Sequence, residues 1–291
     1  MSVYFGNLLT AMVTPFTADG EVNYDKAAEL AVYLVDNGAD GVVVAGTTGE
    51  ASTLTDEEKI RLFRTVAGAL KGRAKVLAGT GTNSTMDTLQ LTKAAGECGV
   101  DGIMLVVPYY NKPSQEGIYQ HFATAAAATD LPVMLYNVPT RTVASMTAET
   151  TLRLAQIPNI VAVKEASGNV EQISRICAGA PADFVLYSGD DVATLPILAL
   201  GGRGVVSVAS HVAAKDIKNM ITAFHAGETA LAARIHYSLL NLFKTIFIAT
   251  NPVPIKTAMN ILGHDVGPVR LPLVELTEEQ YEELKKVLGQ V

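Results

Sequence analysis

The sequence has little charge for its length. Only 18% of the 291 residues are charged, whereas 49% are hydrophobic. A chain this apolar can bury enough surface to offset the entropy cost of folding, so an intrinsically disordered protein is excluded. The 22 Lys and Arg residues are outnumbered by 29 Asp and Glu residues, giving a formal net charge of −7. An acidic balance of this kind argues against a nucleic-acid-binding protein, which needs clustered positive charge.

Cysteine is also scarce, and targeting segments are not recognisable. Cys98 and Cys177 lie far apart without CxxC spacing, which favours free, buried thiols in a reducing compartment. The first charged side chain is Asp19, so the N-terminus lacks the basic region of a signal peptide. No later stretch reaches the roughly 18 uninterrupted apolar residues of a membrane helix. We therefore expect a soluble, cytoplasmic protein that does not interact with membranes.

Short apolar runs alternate with longer helical patterns through most of the chain. The runs are nearly continuous in Val, Ile, Leu, Met and Ala, which is typical of parallel strands buried on both faces. The connections between them are too long for β-hairpins. Eight such runs occur, at residues 8–13, 41–45, 75–78, 102–107, 132–136, 160–163, 184–187 and 204–208.

The segments between these runs carry helix signals. Ala27, Leu30, Ala31 and Leu34 recur at spacings of three and four residues, which predicts one apolar helix face that ends before residues 37–38. Residues 55–58 and 277–280 both have the pattern of a capping box, in which the first side chain and the fourth residue bond to each other's backbone.

Eight strands interleaved with helices predict an α/β fold, a (β/α)8 TIM barrel. Helical patterns alone continue after residue 209. We therefore predict a catalytic barrel over residues 1–224 and a C-terminal α-helical domain over residues 225–291. A doubly wound open sheet is the alternative, because a strand count cannot by itself show that a sheet closes.

Two neighbouring strands of this barrel end in residues that packing alone would not select. Working residues of parallel α/β folds gather at the C-terminal ends of strands. Lys164 follows the sixth apolar run and Tyr136 ends the fifth. A desolvated lysine has a lowered pKa and becomes a nucleophile for carbonyl compounds. The alternatives are a lysine that extends to solvent and an ordinary core tyrosine.

Two further strand ends indicate an anion site. Residues 46–50 read GTTGE, in which glycines allow a tight turn and backbone N–H groups with the Thr47 and Thr48 hydroxyls can face a small carboxylate. Arg141 follows the fifth strand and has the planar fork that suits a carboxylate, although a surface arginine is the alternative. Neither a phosphate loop nor a dinucleotide-binding fingerprint is present.

The remaining strand ends are less specific. Tyr109 and Tyr110 follow the fourth strand and suit either an interface or the rim of a site. Asp190 and Asp191 follow the seventh strand, and we interpret them as helix caps rather than metal ligands, because the five histidines are scattered without ligand spacing. We therefore predict no metal site.

Three of these segments together form a recognisable pattern. GTTGE at 46–50, YNVP at 136–139 and VKEA at 163–166 resemble the three markers of the pyruvate-dependent class I aldolase superfamily, in the same order. Residues 108–113, 140–142 and 251–256 are most similar to its dihydrodipicolinate synthase branch. The resemblance covers essentially the whole chain.

The resemblance implies a reaction and a role for each matching residue. Lys164 would form an imine with pyruvate, and its enamine would attack aspartate semialdehyde, with no metal or organic cofactor. Arg141 would bind the semialdehyde carboxylate. The proton relay would comprise Tyr136, Thr48 and Tyr110, the last reaching a neighbouring subunit's site, and pyruvate would be bound by Thr47, Thr48, Gly189 and Val206.

The resemblance also implies a homo-oligomer, expected to be a tetramer built as a dimer of dimers. Lysine-inhibited members bind lysine at the dimer interface. The matching positions here are Ala51, Ser52, Asp56, Lys59, Asn83, Asp87 and Tyr109. Lys59 stands where sensitive members carry histidine, and Asp87 replaces a glutamate, so we expect weak or absent inhibition by lysine.

Two other functions remain open from the sequence. The first is a sister aldolase that uses the same lysine to cleave a sugar acid, of the N-acetylneuraminate lyase or keto-deoxygluconate aldolase type. The second is a non-catalytic barrel that kept the fold and binds a ligand.

Overall fold

The structure, a computed structural model, describes residues 5–289, in which eight parallel strands form one closed barrel. Each strand pairs with the next along the chain, and the last pairs with the first through Leu9 and Val206. The predicted barrel is thus confirmed over the open sheet. The strands are β1 (Leu8–Ala11), β2 (Gly41–Val44), β3 (Lys75–Gly79), β4 (Gly102–Val106), β5 (Val133–Asn137), β6 (Ile160–Glu165), β7 (Val185–Ser188) and β8 (Gly204–Ser207).

The strands are buried because one face packs inside the barrel and the other against helices. Every residue of β1, β2, β5 and β8 is buried, as the continuous apolar runs predicted. The strand β6 is two residues longer than the predicted run, because its backbone pairing with β5 continues through Lys164 and Glu165. A pattern of continuous apolar residues does not detect strand ends that are formed by polar residues.

Helices connect the strands and cover the barrel. They are α1 (Tyr24–Asp36), α2 (Asp56–Ala69), α3 (Thr85–Gly96), α4 (Gln115–Ala126), α5 (Pro139–Thr142), α6 (Ala148–Leu154), α7 (Val170–Gly179), α8 (Thr194–Ala199), α9 (Ser210–His225), α10 (Thr229–Thr245), α11 (Val253–Ile261) and α12 (Glu278–Leu288). A short 3₁₀ helix, Ala51–Thr53, precedes α2.

The local helix signals in the sequence are confirmed. Helix α1 buries the four predicted apolar residues and ends before Asn37. The capping boxes at Thr55 and Thr277 both form, so α2 and α12 begin where the sequence placed them. Each box satisfies two backbone donors that a helix terminus would otherwise leave unpaired.

The C-terminal extension packs on the barrel. Helix α9 contacts β1, α10 lies against α9, and α12 contacts both α10 and α11. The predicted boundary after residue 224 stays a prediction; α9 itself ends at His225.

Two further findings concern membrane-spanning helices and the two cysteines. Within residues 5–289, no helix has the length and apolar character needed to cross a membrane. Cys98 and Cys177 are both free; Cys98 is buried as predicted, whereas Cys177 is only half-buried.

Candidate active site

Lys164 and Tyr136 are neighbours at the C-terminal end of the barrel. Their strands pair in register, with Tyr136 of β5 opposite Lys164 of β6. The Lys164 Nζ lies 4.2 Å from the centroid of the Tyr136 ring, and each side chain is only 5% exposed. The structure therefore brings together the amine and the phenol that the sequence identified.

Burial changes the acid–base properties of both groups. Burial lowers the pKa of Lys164 to about 8, against the opposing effect of the Asp191 charge. An ammonium loses its hydration in such a site, so the neutral amine is favoured. Burial also raises the pKa of Tyr136 to about 12, although the Arg141 charge and a hydrogen bond from Thr47 act in the opposite direction. Near neutral pH the site thus holds a partly neutral amine beside a protonated phenol.

Gly189 provides the space that the lysine side chain occupies. A Cβ atom at this position would lie 2.8 Å from the Ala166 Cβ and 3.1 Å from the Lys164 Cε. Any larger residue would therefore displace the lysine. Val206 is buried within β8 and belongs to the same barrel.

The turn at residues 46–50 is held in an unusual backbone conformation. Ala45, immediately before it, and Glu50, its last residue, have φ of 51° and 56°, in the left-handed region that non-glycine residues seldom adopt. Thr14 donates to the Gly49 carbonyl at 2.7 Å, and Glu50 accepts from the Lys256 ammonium at 3.0 Å. Strained backbone of this kind clusters at functional sites, where surrounding contacts maintain it.

Arg141 lies on α5, which follows β5 directly. The loop that carries it is closed by Asn137, whose side chain accepts from the Met146 N–H at 2.9 Å and donates to the Met146 carbonyl at 3.3 Å. Arg141 is exposed, and its Nη2 donates to the Asn251 carbonyl at 3.3 Å. Its guanidinium is thus positioned at the entrance rather than in the interior.

One cavity, of about 290 Å³, opens at this end of the barrel. Thr47, Tyr136 and Arg141 line one part of it, so the predicted carboxylate and proton-transfer groups face a common space. Among the described residues, Thr48, Lys164 and Val206 are buried and do not form its wall.

The two aspartates that follow β7 accept hydrogen bonds from backbone N–H groups that lie just before two helices. The Asp190 Oδ1 accepts from the Val192 N–H at 2.8 Å, immediately before α8. The buried Asp191 accepts from the Val208 and Ala209 N–H groups, which lead into α9. The capping interpretation is wrong, because the N-caps of α8 and α9 are Ala193 and Ala209 and, among the described residues, neither helix has a side-chain capping hydrogen bond. The two aspartates instead hold the turns that precede these helices. Within residues 5–289, no group of three or more His, Cys, Asp and Glu residues could hold a metal ion.

This chain is similar to known proteins over almost its whole length. The model of the dihydrodipicolinate synthetase family matches residues 4–291. The chain belongs to this family. It is 58% identical to the 4-hydroxy-tetrahydrodipicolinate synthase of Moorella thermoacetica over 98% of this chain and 97% of that protein. Identity with the synthase of Bacillus subtilis is also 58%, over 99% of both chains.

A solved structure gives the same result for the fold. The structure of DHDPS from Cyanidioschyzon merolae with lysine bound superposes with a TM-score of 0.97 at 50% identity, covering 99% of each chain. This dihydrodipicolinate synthetase family member thus shares the architecture of its relatives over essentially its whole length.

The tyrosine pair of this family member divides between two environments. Tyr109 is half-buried and lines the cavity, whereas Tyr110 is 87% exposed with φ of 73°. Burial raises the pKa of Tyr109, and the nearby Asp87 charge acts in the same direction. Ala51, Ser52 and Lys59 line the same cavity as Tyr109, so four of the seven positions matched to the lysine site of inhibited members lie together.

Two residues of the C-terminal extension contact the site and were not assigned a role from the sequence. Asn251 donates to the Thr48 hydroxyl at 2.9 Å, and Lys256 forms the buried ion pair with Glu50. Both lie in the 251–256 segment that resembled the synthase branch, so the signal was present. Their contacts could not be inferred, because the partners lie 203 and 206 residues away.

Proposed function

We propose that this protein is a lyase, a 4-hydroxy-tetrahydrodipicolinate synthase. It condenses pyruvate with L-aspartate 4-semialdehyde, the first committed step of diaminopimelate and lysine biosynthesis. The observation that carries the proposal is the buried Lys164, whose pKa is lowered to about 8, in a chain 58% identical to synthases over nearly its full length.

The proposed reaction begins at the Lys164 amine. The neutral amine adds to the pyruvate ketone and loses water, which forms an imine. Loss of a methyl proton gives an enamine, whose carbon attacks the aldehyde of the semialdehyde. The substrate amine then attacks the imine carbon, closing the ring and releasing Lys164 as a free amine. An imine accepts electrons better than a ketone, so the enamine becomes accessible near neutral pH.

The roles of the other residues follow the same proposal. Thr47 and Thr48 would bind the pyruvate carboxylate, with Gly189 and Val206 lining the space around it. Arg141 would bind the carboxylate of the second substrate. Tyr136, Thr48 and Tyr110 would form the proton relay, in which positioned hydroxyls lower the cost of moving protons. Thr47 and Tyr136 line the same cavity, which supports the proximity of the carboxylate-binding turn and the relay tyrosine.

We also propose a homo-oligomer, a tetramer assembled as a dimer of dimers. The exposed Tyr110 supports a role across an interface, because a large aromatic side chain 87% exposed on one chain is available to a neighbour. A cytoplasmic location is proposed with it, supported by the two free cysteines. The C-terminal helical part, residues 225–291, would act as one unit with the barrel through Asn251 and Lys256.

Borohydride trapping tests the proposed chemistry. Pyruvate followed by borohydride should leave a reduced adduct on Lys164 that peptide mass spectrometry detects. Lys256 is a suitable internal control. Burial lowers its pKa to about 8 as well, but its ammonium is already paired with Glu50, so it should remain unlabelled. An unlabelled Lys164 would contradict the enzyme function and favour a non-catalytic barrel.

Substrate assays test the second half of the reaction. We expect turnover with aspartate semialdehyde and none with N-acetylneuraminate or keto-deoxygluconate; the reverse result would identify a sister aldolase. Arg141→Ala should raise the KM for the semialdehyde about ten-fold or more, since it removes a charge-assisted contact, and leave pyruvate trapping unchanged. Arg153→Ala, at an exposed arginine on α6, is the matched control.

A further inference from the structure

Asn251 contacts two residues of the proposed site at once. It lies between α10 and α11 and is only 7% exposed. Its Nδ2 donates to the Thr48 Oγ1 at 2.9 Å, while its main-chain carbonyl accepts from the Arg141 Nη2 at 3.3 Å. Side chain and main chain of one residue thus hold different groups of the site.

The direction of the side-chain hydrogen bond determines what the Thr48 hydroxyl can do. A hydroxyl carries one proton and accepts through its lone pairs. Because the Asn251 N–H occupies a lone pair of Thr48, the hydroxyl proton remains available to a third group. A side chain that accepted from Thr48 instead would withdraw this proton from any relay.

The other end of the Asn251 amide is not satisfied within residues 5–289. Its Oδ1 is buried without a hydrogen-bond partner there. An unpaired buried acceptor costs free energy, so this asparagine is not the best residue for stability alone. Local conflicts of this kind are expected where function selects the residue.

We propose that Asn251 is a positioning residue for proton transfer, which acts by holding Thr48 as a hydrogen-bond donor towards the reacting atoms. This inference rests on the function proposed above. The Arg141 contact is made by the main chain, so a side-chain substitution at residue 251 should leave it in place. A substitution of the Asn251 side chain should therefore affect proton transfer without affecting recognition of the second substrate.

Asn251→Leu tests the proposal, because it removes the donor at nearly constant volume. We expect kcat to fall about ten-fold or more, within the range attributed to positioned proton-transfer groups. The KM for the semialdehyde should stay within about two-fold of the wild-type value, unlike that of Arg141→Ala, and borohydride trapping of pyruvate should persist. Asn251→Ala removes the same donor without added bulk, and it replaces the leucine variant in these measurements if that variant does not fold.

A double-mutant cycle with Thr48→Val distinguishes positioning from general structural damage. If Asn251 acts through Thr48, then Asn251→Leu should lower kcat by less than about two-fold in the Thr48→Val background. Independent, multiplicative losses would overturn the proposal. Asn260→Leu, in the same extension, is the control, since within residues 5–289 the Asn260 side chain bonds the nearby loop at residues 266 and 267, and its kcat should not change.

The outcomes separate this inference from the function on which it rests. A wild-type protein that pyruvate and borohydride leave unlabelled would overturn both. A labelled, active wild type whose Asn251→Leu and Asn251→Ala variants keep the wild-type kcat would overturn the positioning role alone.

Discussion

The Lys164 ammonium lies against the face of the Tyr136 ring, 4.2 Å from its centroid. The aromatic face attracts the charged form of the lysine, whereas burial disfavours it. Burial has the larger effect, since the pKa of Lys164 is lowered to about 8. Tyr136 therefore contributes both a ring that packs on the amine and a hydroxyl that can transfer protons.

Tyr136→Phe separates the two contributions. The ring that packs on Lys164 is kept, so borohydride trapping of pyruvate should persist. Without the hydroxyl, kcat with both substrates should fall roughly 100-fold, in the lower range for general acid–base groups. Steady-state kinetics and peptide mass spectrometry measure the two effects. Full turnover by the variant would remove Tyr136 from the relay.

The pKa of Lys164 predicts how imine formation depends on pH. Only the neutral amine is nucleophilic, and burial lowers this pKa to about 8. The initial rate of adduct formation with pyruvate and cyanoborohydride should therefore rise with pH through about pH 8 and level off above it. Asp191→Asn should move the midpoint to lower pH, because the Asp191 charge raises the pKa of Lys164. A midpoint near the ordinary lysine value would contradict the desolvated site.

Gly189→Ala tests the space that Lys164 requires. The new Cβ would lie 3.1 Å from the Lys164 Cε and 2.8 Å from the Ala166 Cβ, so the lysine must shift. We expect the trapping rate to fall at least about ten-fold, because small displacements of a nucleophile are costly, while circular dichroism stays native. Gly68→Ala on α2, where a Cβ would meet nothing within 4 Å, is the control and should trap normally.

Lys256→Met should destabilise the protein strongly. The Lys256 and Glu50 side chains are each only 2% exposed, and removing one partner leaves a buried, uncompensated charge, which costs about 3–5 kcal/mol. Urea denaturation measures the loss. Arg153→Met breaks an exposed pair with Glu116 and should cost less than about 1 kcal/mol. If adding Glu50→Gln to Lys256→Met recovers no stability, the ion-pair explanation is wrong.

Lysine should inhibit this protein weakly or not at all. The Lys59 ammonium lies 3.0 Å from Asp56 and lines the cavity with Ser52 and Tyr109, where it would repel a second ammonium. Steady-state assays with submillimolar lysine should show less than about two-fold inhibition, and Lys59→His should increase it. The relative from Cyanidioschyzon merolae, whose structure contains lysine, is a positive control for binding by calorimetry. Strong inhibition of the wild type would contradict this expectation.

The parts of the molecule that depend on local sequence could be predicted. Continuous apolar runs located every strand, and the capping boxes at Thr55 and Thr277 located the starts of α2 and α12. Lys164 was found because a lysine after an apolar run is costly to bury. These signals involve residues that are close in the chain.

Contacts between distant segments could not be predicted. The hydrogen bond from Asn251 to Thr48 joins residues 203 positions apart, and nothing near either residue identifies the other. The end of β6 was also misplaced, because backbone pairing with β5 determines it rather than hydrophobicity. Geometry at the site therefore required the folded chain.

The Glu50–Lys256 pair has a consequence for synthesis of the chain. A nascent chain that has reached residue 207 contains all the strands described in residues 5–289, yet it lacks the ammonium that Glu50 requires and the Arg270 N–H that its second oxygen accepts at 2.9 Å. The turn that holds Thr47 and Thr48 is therefore secured only when translation is almost complete. A barrel emerging from the ribosome would leave Glu50 without these partners until residues 256 and 270 have been added.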